Sequence, residues 1–145
     1  MNTSCDDCHR IDLPQISDSR GNLSVIESGR HVPFEIKRVF YLYDVPDGQP
    51  RGGHALMRCH QFIVALSGSF DLVLDDAVTR RCIHLCRSDY GVHVPPLIWR
   101  DMSNFSSTAV CFVLASEPYS EQDYYRNYQE FIKVKHKHLP LTSVI

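Results

Sequence analysis

The chain has 145 residues, a net charge of −2 and a pI near 6.4, which is enough for one domain with its own core. Lys and Arg are scattered, so the basic patch typical of a nucleic-acid-binding protein is absent. The sequence has no apolar run long enough to span a membrane, and its first residues do not follow the pattern of a signal peptide. We therefore expect a cytoplasmic protein with neither a nucleic-acid nor a membrane partner.

The domain boundaries follow from where the apolar segments begin and end. We expect residues 1–12 to be a flexible N-terminal tail and residues 136–145 to be a second flexible tail. Residues 13–135 should form a single domain that includes a C-terminal helix.

Six cysteines raise the question of disulfides, haem or zinc; they are Cys5, Cys8, Cys59, Cys82, Cys86 and Cys111. A disulfide framework belongs to secreted proteins. The motif CDDCH at 5–9 has the spacing of a haem attachment site, which requires export. A four-cysteine zinc site from the first two and the pair at 82 and 86 is chemically possible, but it would draw half its ligands from the expected tail. We expect Cys59, Cys82 and Cys111 to be small buried hydrophobic residues.

The middle of the chain reads as short strands separated by turn residues. Apolar residues alternate with polar ones, or run together, in six segments: 34–45, 61–68, 69–76, 80–87, 90–96 and 108–116. Strands at this spacing favour a β-sandwich or barrel. Pro95 and Pro96 should end the fifth segment, because proline cannot lie inside a sheet.

The last third of the chain has helical periodicity. Ser120 is followed three residues later by Asp123, a pattern related to the capping box that starts helices. The residues that recur at helical spacing are Tyr124, Tyr128, Phe131 and Ile132. We predict a helix within residues 119–138 that packs on the β-structure.

Two motifs have the spacing of a cupin, an all-β jelly roll. The first cupin motif runs His-x-His, four residues, Glu, six residues, Gly, and here the corresponding residues are His54, Leu56, Gln61 and Gly68. The second runs Pro-x-Gly, two residues, His, three residues, Asn, and here the corresponding residues are Pro95, Leu97, Arg100 and Asn104. Because both spacings are met, we predict a cupin jelly roll (double-stranded β-helix) with a short C-terminal helix.

The metal ligands of a cupin are missing from these positions. They hold His54, Leu56, Gln61 and Arg100. Leucine cannot coordinate a cation, and arginine stays protonated and would repel one. One imidazole and one neutral amide are too few for zinc, iron or manganese. We therefore expect a site without metal that prefers an anionic or carbonyl-bearing ligand.

Several segments in order along the chain resemble the sugar 3,4-ketoisomerase family of cupins, and the resemblance covers about residues 13–132. These segments are DSRGNLSVIE (18–27), VPFEIKRVFYLYDV (32–45), RGGHA (51–55), LSGSFDLVLDD (66–76), VPPLIWRDMSNFSS (94–107) and VLASEPYSEQDYYRNYQEF (113–131). The resemblance implies a metal-free homodimer without a cofactor. It also implies that the protein moves the carbonyl of dTDP-4-keto-6-deoxyglucose from C4 to C3, in deoxysugar or surface-polysaccharide synthesis.

The resemblance and the chemistry of isomerisation together suggest roles for particular residues. A base must remove the proton next to the ketone, and a cation must stabilise the enediolate oxygens. We assign His54 as the base and Arg100 as the stabilising cation. The candidate substrate-binding residues are Arg20, Arg38, Arg51, His60, Gln61 and Tyr43.

The chain departs from the family pattern at two positions. The family usually has a second histidine where this chain has Leu56, and a tyrosine where it has Phe40. Two hypotheses follow. Either His54 performs the proton transfer, alone or with His60 or His93, or the chain is a non-catalytic cupin that binds a nucleotide sugar.

Overall fold

Alternating apolar side chains build two antiparallel sheets that face each other in the computed structural model, which describes residues 2–137. The strands are β1 (His9–Asp12), β2 (Gln15–Asp18), β3 (Gly21–Ser24), β4 (Arg38–Leu42), β5 (Arg51–Leu56), β6 (Gln61–Ser67), β7 (Phe70–Asp75), β8 (Arg80–Leu85), β9 (Tyr90–Val94), β10 (Trp99–Ser103), β11 (Val110–Ala115) and β12 (Tyr124–Tyr125). One α-helix, α1, spans Tyr128–Lys137.

The first sheet has the strand order β1-β9-β6-β11-β4, and the second has the order β12-β5-β10-β7-β8. Strands β2 and β3 form a separate hairpin. Apolar residues of both sheets meet between them in one buried cluster, which includes Ile63, Leu72, Leu74, Val92 and Val113. This arrangement confirms the predicted all-β cupin jelly roll with a short C-terminal helix.

The six segments predicted as strands from alternation are all strands, each one or more residues shorter than predicted. Strand β9 ends at Val94, as expected from the prolines that follow it. Strands β5 and β10 were not among the six. Both Gly52 and Gly53 have positive φ angles, of 93° and 72°, so β5 lacks the regular alternation that identifies a strand in sequence.

The N-terminus corrects the expectation of a flexible tail over residues 1–12. Cys5–Asp7 form a 3₁₀ turn with a capping box between Ser4 and Asp7, and β1 pairs with β9. The amide of Cys5 donates to the Asp76 carboxylate at 2.8 Å, and the buried Lys135 ammonium of α1 donates to the Thr3 carbonyl. These contacts come from residues far away in sequence, which is why the local sequence did not reveal them.

The C-terminal segment needs two corrections. Tail residues 136 and 137 belong to α1, and 138–145 lie outside the described residues. The helix begins at Tyr128 rather than near Ser120, with the Asn127 side chain accepting from the first-turn amides. Asp123 does not act as a helix cap, because its buried carboxylate accepts from the backbone amides of Arg58 and Cys59.

The cysteines are free thiols in the described chain, and four of them are buried. Cys59 and Cys111 are buried as predicted, whereas the prediction for Cys82 is wrong, because it is exposed on the edge strand β8. Cys5 and Cys8 are buried and Cys86 is exposed, and no group of three potential metal ligands occurs within residues 2–137.

Within residues 2–137, no helix is long and apolar enough to cross a bilayer.

Candidate active site

A cavity of about 210 Å³ lies between the two sheets and is lined by residues from both of them. The lining residues are Phe40, Leu42, Arg51, Gly52, His54, Gln61, Ile63, Arg100, Met102, Val113, Tyr124 and Arg126. At ~30 Å³ for each water molecule, this volume corresponds to roughly seven waters. It suits one sugar ring, so the rest of a nucleotide sugar would have to extend beyond the cavity mouth.

A bulge between β5 and β10 places two of the polar residues next to each other. The register of these strands shifts between Arg100 and Asp101, and Arg100 pairs directly with His54. A Cβ on Gly52 would lie only 2.9 Å from the Arg100 carbonyl oxygen, so the close approach of the two strands requires glycine at this position.

Arg100 is a fully buried cation that lines the cavity. It donates from Nη1 to Gln61 Oε1 at 2.6 Å and from Nη2 to the Ile98 carbonyl at 3.0 Å, while its Nε has no partner in the described chain. Burial lowers the pKa of the guanidinium to about 10, so it remains charged at neutral pH. The buried charge is not matched by any carboxylate of residues 2–137 within ion-pair distance. It is therefore available to an anionic ligand.

His54 is held in its neutral form. Burial, and then the positive charge of Arg100, lower the pKa of His54 to about 3, against a smaller opposing effect of a hydrogen bond with the Gly52 backbone. The Nε2 atom is buried and has no hydrogen-bond partner among the described residues. A neutral imidazole has one nitrogen that can accept a proton, so His54 has the protonation state that a base requires.

Tyr124 and Arg126 line the same cavity on the side of β12, and Arg38 lies beside Tyr124. The Tyr124 ring lies 5.0 Å from the His54 ring, and the Arg126 guanidinium lies 4.4 Å above the Tyr124 ring. Arg38 Nη2 donates to the Tyr124 hydroxyl at 3.5 Å. Arg126 is half-exposed and also binds Glu121 through Nε and Nη2. The mouth of the cavity is therefore rich in guanidinium groups.

The structure brings together more than half of the candidate site residues named from the sequence. His54, Arg51, Gln61 and Arg100 all line the cavity. Arg38 lies at its edge through the contact with Tyr124. These residues come from β4, β5, β6 and β10, so the site draws on both sheets.

Three predicted substrate-binding residues lie elsewhere in the chain. Arg20 is in the turn between β2 and β3, where its side chain is 88% exposed and pairs with Asp18. Tyr43 is exposed after β4, 5.6 Å from the Tyr41 ring. His60 follows the same alternation as Phe62, which points away from the cavity that Gln61 and Ile63 line. None of the three lines the cavity of the described chain, so their roles in substrate binding stay predictions. For His60 the reason is that proximity to a motif in sequence does not determine the side of the sheet.

His60 and His93 form a pair on that other side of the first sheet. Their rings stack at 5.2 Å, with 3.0 Å between His60 Nδ1 and His93 Nε2, and both contact Phe34. Neither lines the cavity. The structure therefore does not support the hypothesis that either histidine assists His54.

Leu56 is fully buried in a small apolar cluster with Cys59 and Ala115. It lies opposite Tyr124 in the pairing of β5 with β12.

The cavity lining contains a single imidazole and no carboxylate. The donor set of the cavity therefore does not suit a transition metal.

Tyr124 and Arg126 were not identified as site residues from the sequence. Tyr124 has helical spacing to Tyr128, which predicts a residue that packs a helix on the β-structure. The signal that could have identified them is the segment DYYR at 123–126, in which an acidic and a basic residue flank two tyrosines. Only the pairing of β12 with β5 brings them to the cavity.

The depressed pKa of His54 predicts a pH dependence of stability. Between about pH 6.5 and pH 3 the unfolded chain binds a proton at His54 that the folded chain does not, so the free energy of unfolding should fall as the pH is lowered through this range. We expect His54→Asn to show a shallower fall in urea denaturation between about pH 7 and about pH 5. A slope remains from His93, whose pKa burial lowers to about 4.

The matched control for this prediction is His84→Asn. His84 is exposed and pairs with Asp71 on the outside of the molecule. The His84→Asn variant should keep the wild-type dependence of the free energy of unfolding on pH more closely than the His54→Asn variant does. An unchanged slope in His54→Asn would show that His54 titrates normally in the folded chain.

Comparison with known proteins places the chain in a family. Residues 6–136 match the family described as "FdtA: WxcM-like, C-terminal". The chain is 43% identical over 123 residues to the TDP-4-oxo-6-deoxy-alpha-D-glucose-3,4-oxoisomerase of Aneurinibacillus thermoaerophilus, covering 85% of this chain and 88% of that relative.

Two solved structures are similar over nearly the whole fold. The sugar 3,4-ketoisomerase QdtA of Thermoanaerobacterium thermosaccharolyticum, in complex with TDP, is 35% identical with a TM-score of 0.91, covering 94% of this chain and 100% of that one. The TDP-quinovose 3,4-ketoisomerase WlaRB of Campylobacter jejuni is 42% identical with a TM-score of 0.84, covering 88% and 98%. With the family match over residues 6–136, these similarities establish that the chain belongs to the FdtA (WxcM-like, C-terminal) family.

Proposed function

We propose that the chain is a metal-independent isomerase that moves the ketone of a dTDP-linked 4-keto-6-deoxy sugar from C4 to C3. The observation that carries this proposal is that two residues, neighbours on adjacent strands, line a cavity sized for one sugar ring. They are a neutral His54, whose Nε2 has no partner in the described chain, and a buried Arg100. The names of the similar proteins, which are TDP-sugar ketoisomerases, support the same reaction.

The two side chains have complementary roles in this reaction. Removing the C3 proton places negative charge on the C4 oxygen, so the step needs a base and a cation close together. His54 supplies the base, because it is neutral at physiological pH. Arg100 supplies a charge that is already desolvated and oriented by Gln61 and the Ile98 carbonyl, so little reorganisation is needed when the oxyanion forms.

The diphosphate and the nucleotide belong at the mouth of the cavity in this proposal. Arg51 and Arg126 both line the cavity and are exposed at their outer ends. Arginine binds phosphate oxygens through two parallel hydrogen bonds. The volume inside the sheets suits the sugar ring alone, so these arginines are the groups available to hold the rest of the substrate.

Deuterium exchange tests the proposal directly. The chain is incubated with dTDP-4-keto-6-deoxyglucose in D₂O, and C3 and C4 are followed by NMR. We expect deuterium at these carbons together with a 3-keto product. The His84→Asn variant serves as a control that should behave like the wild type, because His84 is exposed on β8 and does not line the cavity. Ligand binding without any exchange would reject the isomerase for this substrate.

The burial of Leu56 favours one alternative, a nucleotide-sugar-binding cupin that has lost the chemistry. The position next to His54 on the same face of β5 has an apolar side chain that cannot transfer a proton. In that case TDP-sugar binding persists and exchange is absent. The same NMR experiment therefore separates the two functions.

We also propose that the protein is a cytoplasmic homodimer that serves deoxysugar or surface-polysaccharide synthesis. The outer face of the first sheet leaves large apolar side chains exposed, among them Val39, Tyr41 and Leu66, and Tyr43 is exposed just after β4. Beside them is an apolar groove of about 360 Å³. A second copy of the chain would cover this face. A monomer in sedimentation equilibrium at micromolar concentration would contradict the dimer.

A further inference from the structure

The inference below rests on the proposed function, the migration of a ketone from C4 to C3. That reaction transfers two hydrogens. The hydrogen bonded to C3 must reach C4, and the hydrogen of the O3 hydroxyl must reach O4. The reaction is internally balanced, because one C–H and one O–H bond break while one of each forms. No oxidant or reductant is needed. The carbon-bound and oxygen-bound hydrogens leave from different positions, so two proton-transfer groups are better suited than one.

The cavity lining offers two such groups. Its four charged or amide side chains are three arginines and Gln61; a guanidinium stays protonated and an amide stays neutral. The other lining residues are glycine or apolar, except for His54 and Tyr124. Among the described residues that line the cavity, these two alone can both donate and accept a proton.

The contacts of Tyr124 suit it to this task. Arg38 donates to its hydroxyl oxygen at 3.5 Å, which leaves the phenol hydrogen free to be donated to a ligand. The guanidinium of Arg126 lies 4.4 Å from the ring centroid. Two cations thus adjoin the phenol and would stabilise a phenolate formed during turnover. The ring lies 5.0 Å from that of His54, so both groups reach neighbouring atoms of one sugar ring.

We propose that the Tyr124 phenol is the second proton-transfer group of the active site, carrying the hydroxyl hydrogen from O3 to O4 while His54 carries the carbon-bound hydrogen from C3 to C4. His54 Nε2 takes the C3 proton, the C3–H electrons form the C3=C4 bond, and O4 takes the phenol proton. The phenolate then takes the proton of the O3 hydroxyl. The O3 electrons form the new carbonyl, and C4 takes the proton from His54.

The test is Tyr124→Phe, which removes the hydroxyl and keeps the ring against His54 and Arg126. We expect kcat to fall by about 10²–10⁴-fold, with KM for the TDP-sugar and affinity for TDP changed by no more than about threefold. A tyrosine that only packs would not produce this separation of kcat from KM. Assays run well below the melting temperature of each variant, so that lost fold cannot imitate lost chemistry.

The matched control is Tyr125→Phe. Tyr125 is the other residue of β12, and it packs with Trp99 and Phe131 away from the cavity. Its kcat should stay within about twofold of the wild type. If the wild type neither turns over nor exchanges deuterium, the proposed function itself fails. If the wild type turns over and Tyr124→Phe keeps its kcat within about threefold, the role of Tyr124 alone is overturned.

Discussion

Replacing His54 by Asn is expected to lower kcat for ketone migration by about 10²–10⁴-fold, the usual contribution of a positioned general base. The substitution removes the one cavity imidazole, whose Nε2 has no partner in the described chain. Asn cannot accept a proton at neutral pH. The loss is measured by NMR of the 3-keto product, with deuterium incorporation at C3 measured in parallel.

Binding should survive this substitution, because the groups assigned to the diphosphate and the oxyanion are unchanged. We expect KM and the affinity for TDP to change by no more than a few-fold. His84→Asn is the matched control, since it makes the same chemical change at an exposed residue that pairs with Asp71. Full activity of the His54 variant would mean that another group removes the C3 proton, and the assignment of His54 would be wrong.

Half of the site residues predicted from the sequence line the cavity. The spacing of a motif identifies such residues because it determines their positions along the strands. His54, Gln61 and Arg100 occupy positions of two cupin motifs, and all three line the cavity. His60 shows why spacing is insufficient. It immediately precedes Gln61, and adjacent strand residues point to opposite faces of a sheet. Its imidazole therefore stacks on His93, away from the site.

Tyr124 shows a different limit. Its helical spacing to Tyr128 predicted a helix, yet it belongs to a two-residue strand that pairs with β5. The buried carboxylate of Asp123 holds the adjacent turn by accepting from Arg58 and Cys59. These contacts span more than sixty residues of sequence, so local pattern does not reveal them. The ordered N-terminus escaped prediction for the same reason, since Lys135 and Asp76 hold it.

Arg100→Met is expected to lower kcat by about 10²–10³-fold, as when a preorganised oxyanion-stabilising group is removed. Its effect on stability should be small, within about 2 kcal/mol, because two large effects oppose each other. Removing a fully buried and uncompensated cation relieves a desolvation cost. At the same time, Gln61 Oε1 and the Ile98 carbonyl lose their donor. The free energy of unfolding is measured by urea denaturation, with Arg87→Met, an exposed arginine paired with Asp89, as the control.

The same variant should also change how His54 titrates. The charge of Arg100 is the second largest cause of the low pKa of His54, after burial. Removing that charge should raise the pKa of His54 and move the acidic limb of the pH–rate profile to higher pH. This shift follows from the charge alone, so the catalytic role of Arg100 is judged from kcat measured at the pH optimum of each variant. If Arg100→Met loses more than about 4 kcal/mol of stability while kcat at the pH optimum stays within about threefold of the wild type, Arg100 is a structural residue, and the oxyanion must be stabilised elsewhere.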